Sequence, residues 1–262
     1  MPRPVVLIHG MWCTGANFAR IVETLKARGH QCHTPNLPAH EIGVDHPEVG
    51  NKSLREYLSS MESYVRAQNF TEAPILVGHS MGGLLAQQLA ARLNPFALVL
   101  LTPAAPKGIF SLRLSVLVAF QFHFLRWGFW RKQHKPSPGR CAASVYNRTP
   151  SQQHARTYST LVGESGWMAT ELTLAAFGAG EVAELDPAAI KCPVYVVSAG
   201  HDKLTPPAVV RQTAALYPQA ALRHYPERGH WVLDDADTDE MTADIANWIQ
   251  GHEQRAAALA RA

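Results

Sequence analysis

The sequence predicts an α/β fold in which a mostly parallel central sheet is covered by helices on both faces. Three observations carry this reading. Short apolar runs of strand length alternate with longer amphipathic stretches over most of the chain. Residues that start and stop helices punctuate the amphipathic stretches. One glycine-flanked serine, in Gly78-His79-Ser80-Met81-Gly82, stands where an apolar run gives way to a helical one.

Taken in order, residues 5–9 form the first apolar run. Phe18, Ile21, Val22 and Leu25 then recur at helical spacing, and Gly29 closes that helix from the C′ position. A second strand is predicted over residues 31–34. Ser53, with Glu56 three residues on, forms a capping box for a helix over residues 54–65. Residues 74–78 make a third strand. After the serine, Leu84, Leu85, Leu89 and Leu93 give a helix one apolar face, and Asn94-Pro95 ends it before a strand at 96–101. The alternation then stops, and Cys192-Pro193 restarts it with strands at 193–199 and 221–225. Residues 1–103 and 190–262 are therefore expected to form the core, and the aromatic, basic, proline-broken stretch 104–189 an inserted, largely helical cap. The alanine-rich tail after Gly251 reads as helical or frayed, and no internal repeat is present.

Composition narrows the function classes. With 262 residues, 47% hydrophobic and 17% charged, the chain can bury a two-sided core without disulfides or metals. Cys13, Cys32, Cys141 and Cys192 have no C-x-x-C or zinc-type spacing and are expected to be free thiols. The N-terminal residues lack the charged and apolar regions of an export signal, so a cytoplasmic location is expected. The net charge of +3 hides a cluster of seven cations, Lys107, Arg113, Arg126, Arg131, Lys132, Lys135 and Arg140, with no acid among them. Nothing resembles a base-reading module, which excludes a nucleic-acid partner. Arg113, Gln121, His123 and Arg126 interrupt the apolar run 109–130, so no transmembrane segment is expected. The cluster is a solvated rim, or it brings the cap into peripheral contact with an anionic lipid surface.

The strand before Gly78-His79-Ser80-Met81-Gly82 and the helix after it make a nucleophile elbow. A serine hydroxyl is a weak nucleophile at neutral pH and needs a base within reach and a carboxylate to orient that base. Asp202 follows the strand at 193–199, and His230 follows the one at 221–225. Parallel strands put all their C-terminal ends on one edge, so Ser80, Asp202 and His230 converge there. Asp202 also reads as a turn residue before Thr205-Pro206-Pro207, and His230 as a packed loop histidine, but their spacing and order favour the joint role.

The elbow, the chain order Ser, Asp, His and the strand placements resemble the α/β-hydrolase superfamily over nearly all of the chain outside the cap. The departure is at the start, where the superfamily's usual antiparallel strands have no room, which leaves the sheet size open. The resemblance implies an α/β-hydrolase fold and a serine hydrolase in which Ser80 attacks, His230 shuttles the proton and Asp202 orients the imidazole. It places the two oxyanion donors on the backbone N–H groups of Met81, after the nucleophile, and Met11, in His9-Gly10-Met11-Trp12, which looks like the H-G-x-W loop. His9 and His79 are expected to orient backbone rather than transfer protons. His40, in Leu37-Pro38-Ala39-His40, resembles a P-G-H loop and is read as a turn residue. No metal or organic cofactor is implied.

Trp12, with Phe120, Phe124 and Trp127 at helical spacing, is a candidate lining for the substrate. Residues 112–124 also alternate at period two, so the cap aromatics serve either as an acyl-binding roof or as the cap's own core. The expected activity is cleavage of a small carboxylic ester with an apolar, short- to medium-chain acyl group, through an acyl-enzyme. A serine at position 80 disfavours epoxide and haloalkane hydrolysis, whose nucleophile is aspartate. The alternatives are a carbon–carbon hydrolase or lyase using the same three residues, and a ligand-binding receptor of the same fold.

Overall fold

The computed structural model describes residues 2–44, 46–110, 127–179 and 182–261. In chain order the elements are β1 (Val5–Ile8), α1 (Ala19–Ala27), β2 (Cys32–His33), α2 (Leu54–Ala67), β3 (Ile75–His79), α3 (Met81–Leu93) and β4 (Ala97–Leu101). Then follow β5 (Gln133–His134), α4 (Pro138–Ser144), α5 (His154–Ser159), β6 (Glu164–Ser165) and α6 (Gly166–Ala176). The chain ends with β7 (Val194–Ala199), α7 (Pro207–Ala214), β8 (Ala220–Tyr225) and α8 (Thr238–Leu259).

Six strands form one parallel sheet in the order β2-β1-β3-β4-β7-β8. The sheet is therefore all parallel among the described residues, which settles the size that the sequence left open. Strands β1, β3, β4 and β7 are buried along their whole length, as continuous apolar runs between two helical layers must be. At the edge, β8 exposes Arg223 and His224, charged or polar groups that discourage pairing with another chain. Helices α1 and α8 pack together, as do α2 and α3. The expected capping box is present: Ser53 Oγ accepts from the Glu56 N–H at 3.1 Å, and the Ser53 N–H donates to Glu56 Oε2 at 2.8 Å.

Two features add to the sequence reading. The stretch between β4 and β7 contains strands, since β5 and β6 pair antiparallel over Gln133–Ser165 and His134–Glu164. Two-residue strands carry no alternation for a pattern reading to detect. The alanine-rich tail is ordered helix, because α8 runs without a break to Leu259.

Pairing register aligns Ile8 with Gly78, His79 with Leu101, Leu101 with Val197 and Ala199 with Tyr225. The residues after each strand therefore emerge along one edge. From β1 the chain moves outward to β2 and then returns to the other side as β3, so β1 and β3 flank a topological switch point, where open α/β sheets hold their ligands.

Candidate active site

Ser80 follows β3 directly, with φ 55° and ψ −122°, a conformation that costs a non-glycine residue about 1–3 kcal/mol. Its own peptide is clamped in return. The Ser80 N–H donates to the Leu101 carbonyl at 3.0 Å, and its carbonyl accepts from Gly83 and Ala104 at 2.9 and 2.8 Å. The flanking glycines make the turn possible, since a Cβ at Gly78 would lie 2.3 Å from the Gly82 carbonyl oxygen and one at Gly82 2.1 Å from that of Ile8. Both clashes are with backbone. Gly82→Ala is accordingly expected to lower the melting temperature by several degrees, at about 2–4 °C per kcal/mol, and to cut turnover at least about tenfold. A melt and turnover equal to wild type would show that the elbow relaxes freely.

Beyond β1, His9 Nδ1 donates to the Gly10 carbonyl at 2.9 Å while its Nε2 accepts from the Leu37 N–H at 3.0 Å. That fixes one neutral tautomer, and burial, with His40 as a second cause, pulls His9 down to about 3. His79 is likewise drawn down to about 3 by burial and then by His230. Near neutral pH each is therefore a neutral imidazole with a single N–H to donate. Trp12 takes a left-handed φ of 61°, and Met11 and Met81 both line the cavity beyond β1 and β3. Among the described residues neither amide, Met11 nor Met81, is taken by a backbone acceptor.

His230 stands in the loop after β8, with Nδ1 donating to Asp202 Oδ2 at 2.8 Å. Asp202 Oδ1 accepts from the Leu204 and Thr205 N–H groups, both at 2.8 Å, and the second oxygen is shared by the imidazole and the Thr205 hydroxyl. Thr205 Oγ1 lies 2.7 Å from Asp202 Oδ2, 2.9 Å from the Thr102 carbonyl and 3.3 Å from His230 Nδ1. The His230 carbonyl is held by His79 Nε2 at 3.2 Å and Thr102 Oγ1 at 3.3 Å. Just upstream, the buried Arg228 guanidinium grips Asp235 and also donates to the Asp237 carbonyl and Thr238 Oγ1, both at 3.2 Å. The loop bearing His230 is thus tied down at both ends.

Ser80 and His230 line one cavity of about 100 Å³, together with Met11, Trp12 and Met81. Opposite them, α6 presents Ala169, Leu172, Thr173 and Ala176, one helical face at spacing i, i+3, i+4, i+7. The structure therefore brings Ser80, Asp202, His230, Met11, Met81 and Trp12 to one place. Trp127 is not there: it is 89% exposed, in edge-to-face contact with Trp130. Its helical spacing from Phe120 and Phe124 does not carry into a helix at residue 127, which lies in a turn. Phe120 and Phe124, like Arg113 and Arg126, lie outside the described residues. Of the other cations, Lys107 pairs with Glu184 at 2.8 Å, and Lys135 donates to the Leu161 carbonyl over the Tyr158 ring. Arg131, Lys132 and Arg140 remain exposed.

Sequence reasoning missed Thr205, read only as part of a proline turn, and missed the lining face of α6, whose apolar residues run all round the helix. His40 closes the turn expected of it, its N–H donating to the Leu37 carbonyl at 3.1 Å, but nothing in the sequence signals that its ring is fully buried and paired with Glu164. The four cysteines are free thiols. Among the described residues no group of three or more His, Cys, Asp or Glu is arranged to hold a metal ion, and no helix is long and apolar enough to cross a membrane.

A parallel sheet with a serine on a glycine-flanked turn at its switch point is the framework of a hydrolase. The chain belongs to the alpha/beta hydrolase family, which it matches over residues 5–244. Among relatives, a pimeloyl-[acyl-carrier protein] methyl ester esterase of Chromobacterium violaceum is 26% identical, over 86% of this chain and 86% of its own. The magnesium-chelatase 30 kDa subunit of Rhodobacter capsulatus is 23% identical, over 94% of this chain and 87% of its own. Among solved structures, the monoacylglycerol lipase of Paleococcus ferrophilus superimposes with a TM-score of 0.70, covering 96% of each chain at 21% identity. At that identity the likeness speaks for the fold.

Proposed function

We propose that this hydrolase cleaves carboxylic esters with short apolar acyl groups through an acyl-enzyme. The observation that carries the reading is the 2.8 Å bond from His230 Nδ1 to a buried Asp202, with His230 and Ser80 facing one apolar cavity. Ser80 attacks the ester carbonyl as His230 takes its proton. Asp202 holds the imidazole in the tautomer whose Nε2 is free to accept, and it stabilises the imidazolium. The Met11 and Met81 N–H groups receive the oxyanion, aided by the positive N-terminal end of α3. The imidazolium then protonates the leaving alcohol, and water attacks the acyl-enzyme by the same route in reverse.

Residues 104–189 act as the cap in this reading, and their contribution to the cavity favours an ester over a carbon–carbon bond. Val145, Ala169, Leu172 and Ala176 are apolar, and the hydroxyl of Thr173 donates to the Ala169 carbonyl within its own helix. A carbon–carbon hydrolase or lyase needs polar groups poised over the serine. The relatedness to a methyl ester esterase supports the same choice.

Cavity size sets the acyl length. An engineered protein cavity of roughly 150 Å³ holds benzene, so the space here fits a chain of only a few carbons. On p-nitrophenyl esters, kcat/KM should rise from acetyl by up to about fourfold per methylene, the equivalent of about 0.8 kcal/mol, and then fall once the chain outgrows the cavity. Stoichiometric labelling by a fluorophosphonate should accompany it. An unlabelled, inert protein would overturn the reading, and a steady fall beyond acetyl would overturn the assignment of the cavity to the acyl group.

A further inference from the structure

A buried charge pair that the site chemistry leaves unused lies between the core and the stretch joining β4 to β7. Glu164, at the start of β6, is completely buried and pairs with the equally buried His40, Oε2 to Nε2 at 3.1 Å. Its other oxygen accepts from Tyr57 Oη at 2.9 Å and from the Ser165 N–H at 2.7 Å. His40 Nδ1 donates to the Pro38 carbonyl at 2.9 Å. Both ring nitrogens of His40 thus face acceptors, the arrangement of an imidazolium. Burial opposes the charge on each partner, but each stabilises the other: His40 is held above its ordinary pKa and Glu164 below.

The turn that His40 fixes does a second thing. Its Leu37 N–H donates to His9 Nε2, and His9 Nδ1 holds the Gly10 carbonyl. The ring centroids of His9 and His40 lie 5.2 Å apart, in tilted contact. Two residues before Glu164, the Val162 N–H donates to the Trp12 carbonyl at 2.8 Å. Gly10 and Trp12 are the two neighbours of Met11. The Gly10 carbonyl shares its peptide unit with the Met11 N–H, and the Trp12 carbonyl belongs to the unit after next. That amide is therefore anchored at its own carbonyl through the Glu164–His40 pair and His9, and the loop just beyond it directly by Val162, from a single short stretch that ends in β6.

We infer that residues 162–164, acting through His40 and His9, are a strap that positions the Met11 N–H for the oxyanion, with Glu164 and His40 as positioning residues that never touch the substrate. The inference rests on the esterase reading above. A carbonyl oxygen becoming an oxyanion asks for donors already in place, and a loop holding a left-handed tryptophan would not keep its aim without such ties.

The experiment compares wild type, Glu164→Ala, Glu164→Gln and His40→Gln with a short-chain p-nitrophenyl ester, alongside fluorophosphonate labelling rates and thermal melts. Glu164→Ala should lower kcat about ten- to a hundredfold, since a lost oxyanion donor costs roughly a hundred- to a thousandfold, and labelling should slow in parallel. KM should change less than kcat, within about threefold, because an oxyanion donor acts on the transition state more than on the bound ester. Glu164→Gln should recover turnover to within about threefold, since its amide can accept from Tyr57 and Ser165 and donate to a neutral His40. His40→Gln, which reaches Glu164 but loses the bond to Pro38, should show the same loss in kcat; it tests the strap even if Glu164→Ala does not fold. Folded variants that melt lower but keep wild-type kcat would overturn the strap and leave the esterase reading standing, as would a loss carried wholly by KM. A wild type that neither hydrolyses esters nor takes the label would overturn both.

Discussion

A folded Ser80→Ala protein is expected to lose ester turnover by about a millionfold, and His230→Ala by a similar factor, because nucleophile and base act as one unit. Asp202→Asn should be milder, at about ten-thousandfold, and the geometry says why. Asparagine Oδ1 can still accept the Leu204 and Thr205 amides that fold the loop, so the structure survives. Its NH2 would then face His230 Nδ1, which favours the tautomer with Nδ1 unprotonated and takes the acceptor away from the serine. Turnover on p-nitrophenyl esters and the rate of fluorophosphonate labelling measure all three. Wild-type turnover from folded Ser80→Ala would sink the mechanism.

The largest effect on stability should come from a residue that touches no substrate. Arg228→Ala removes the partner of Asp235 and leaves that carboxylate buried, an error that typically costs about 3–5 kcal/mol. In a domain this size that corresponds to a fall in melting temperature on the order of 10 °C. The surviving contacts to Asp235, from the Asp237 N–H at 3.2 Å and Thr238 Oγ1 at 3.0 Å, cannot neutralise its charge. Thermal melts of wild type and variant decide the matter. A shift below about 2 °C would mean that water replaces the guanidinium and that the clamp below His230 is dispensable.

What could be read from the sequence follows a physical rule. Strands β1, β3, β4 and β7 were legible because burial on both faces writes itself as continuous apolar runs. The part-exposed edge strands β2 and β8 were read from the strand–helix alternation around them. Ser80 and Asp202 were legible because each follows a buried run, and His230 because it follows the last strand of that alternation. Met11 followed from the loop after β1 by resemblance. Cross-chain pairs left no such trace. His40 and Glu164 are separated by 124 residues and Tyr57 and Glu164 by 107, and no periodicity encodes a contact of that kind. Thr205 was hidden by its neighbours, since Thr205-Pro206-Pro207 reads as a turn whether or not its hydroxyl reaches a carboxylate. For Trp127, spacing alone suggested a shared face with Phe120 and Phe124, and helical spacing has no meaning for a residue that lies in a turn.

The His79 to His230 carbonyl bond joins residues 151 apart, and the strap joins residues 124 apart. During synthesis the elbow therefore emerges from the ribosome well before the parts that make it reactive. A nascent chain displays a serine with no base, no oriented carboxylate and an untethered amide opposite it, which is an ordinary alcohol. On the proposed mechanism, acyl chemistry switches on only when the last strand and the His230 loop have joined the sheet, so a chain abandoned before that point would leave the esters around it untouched.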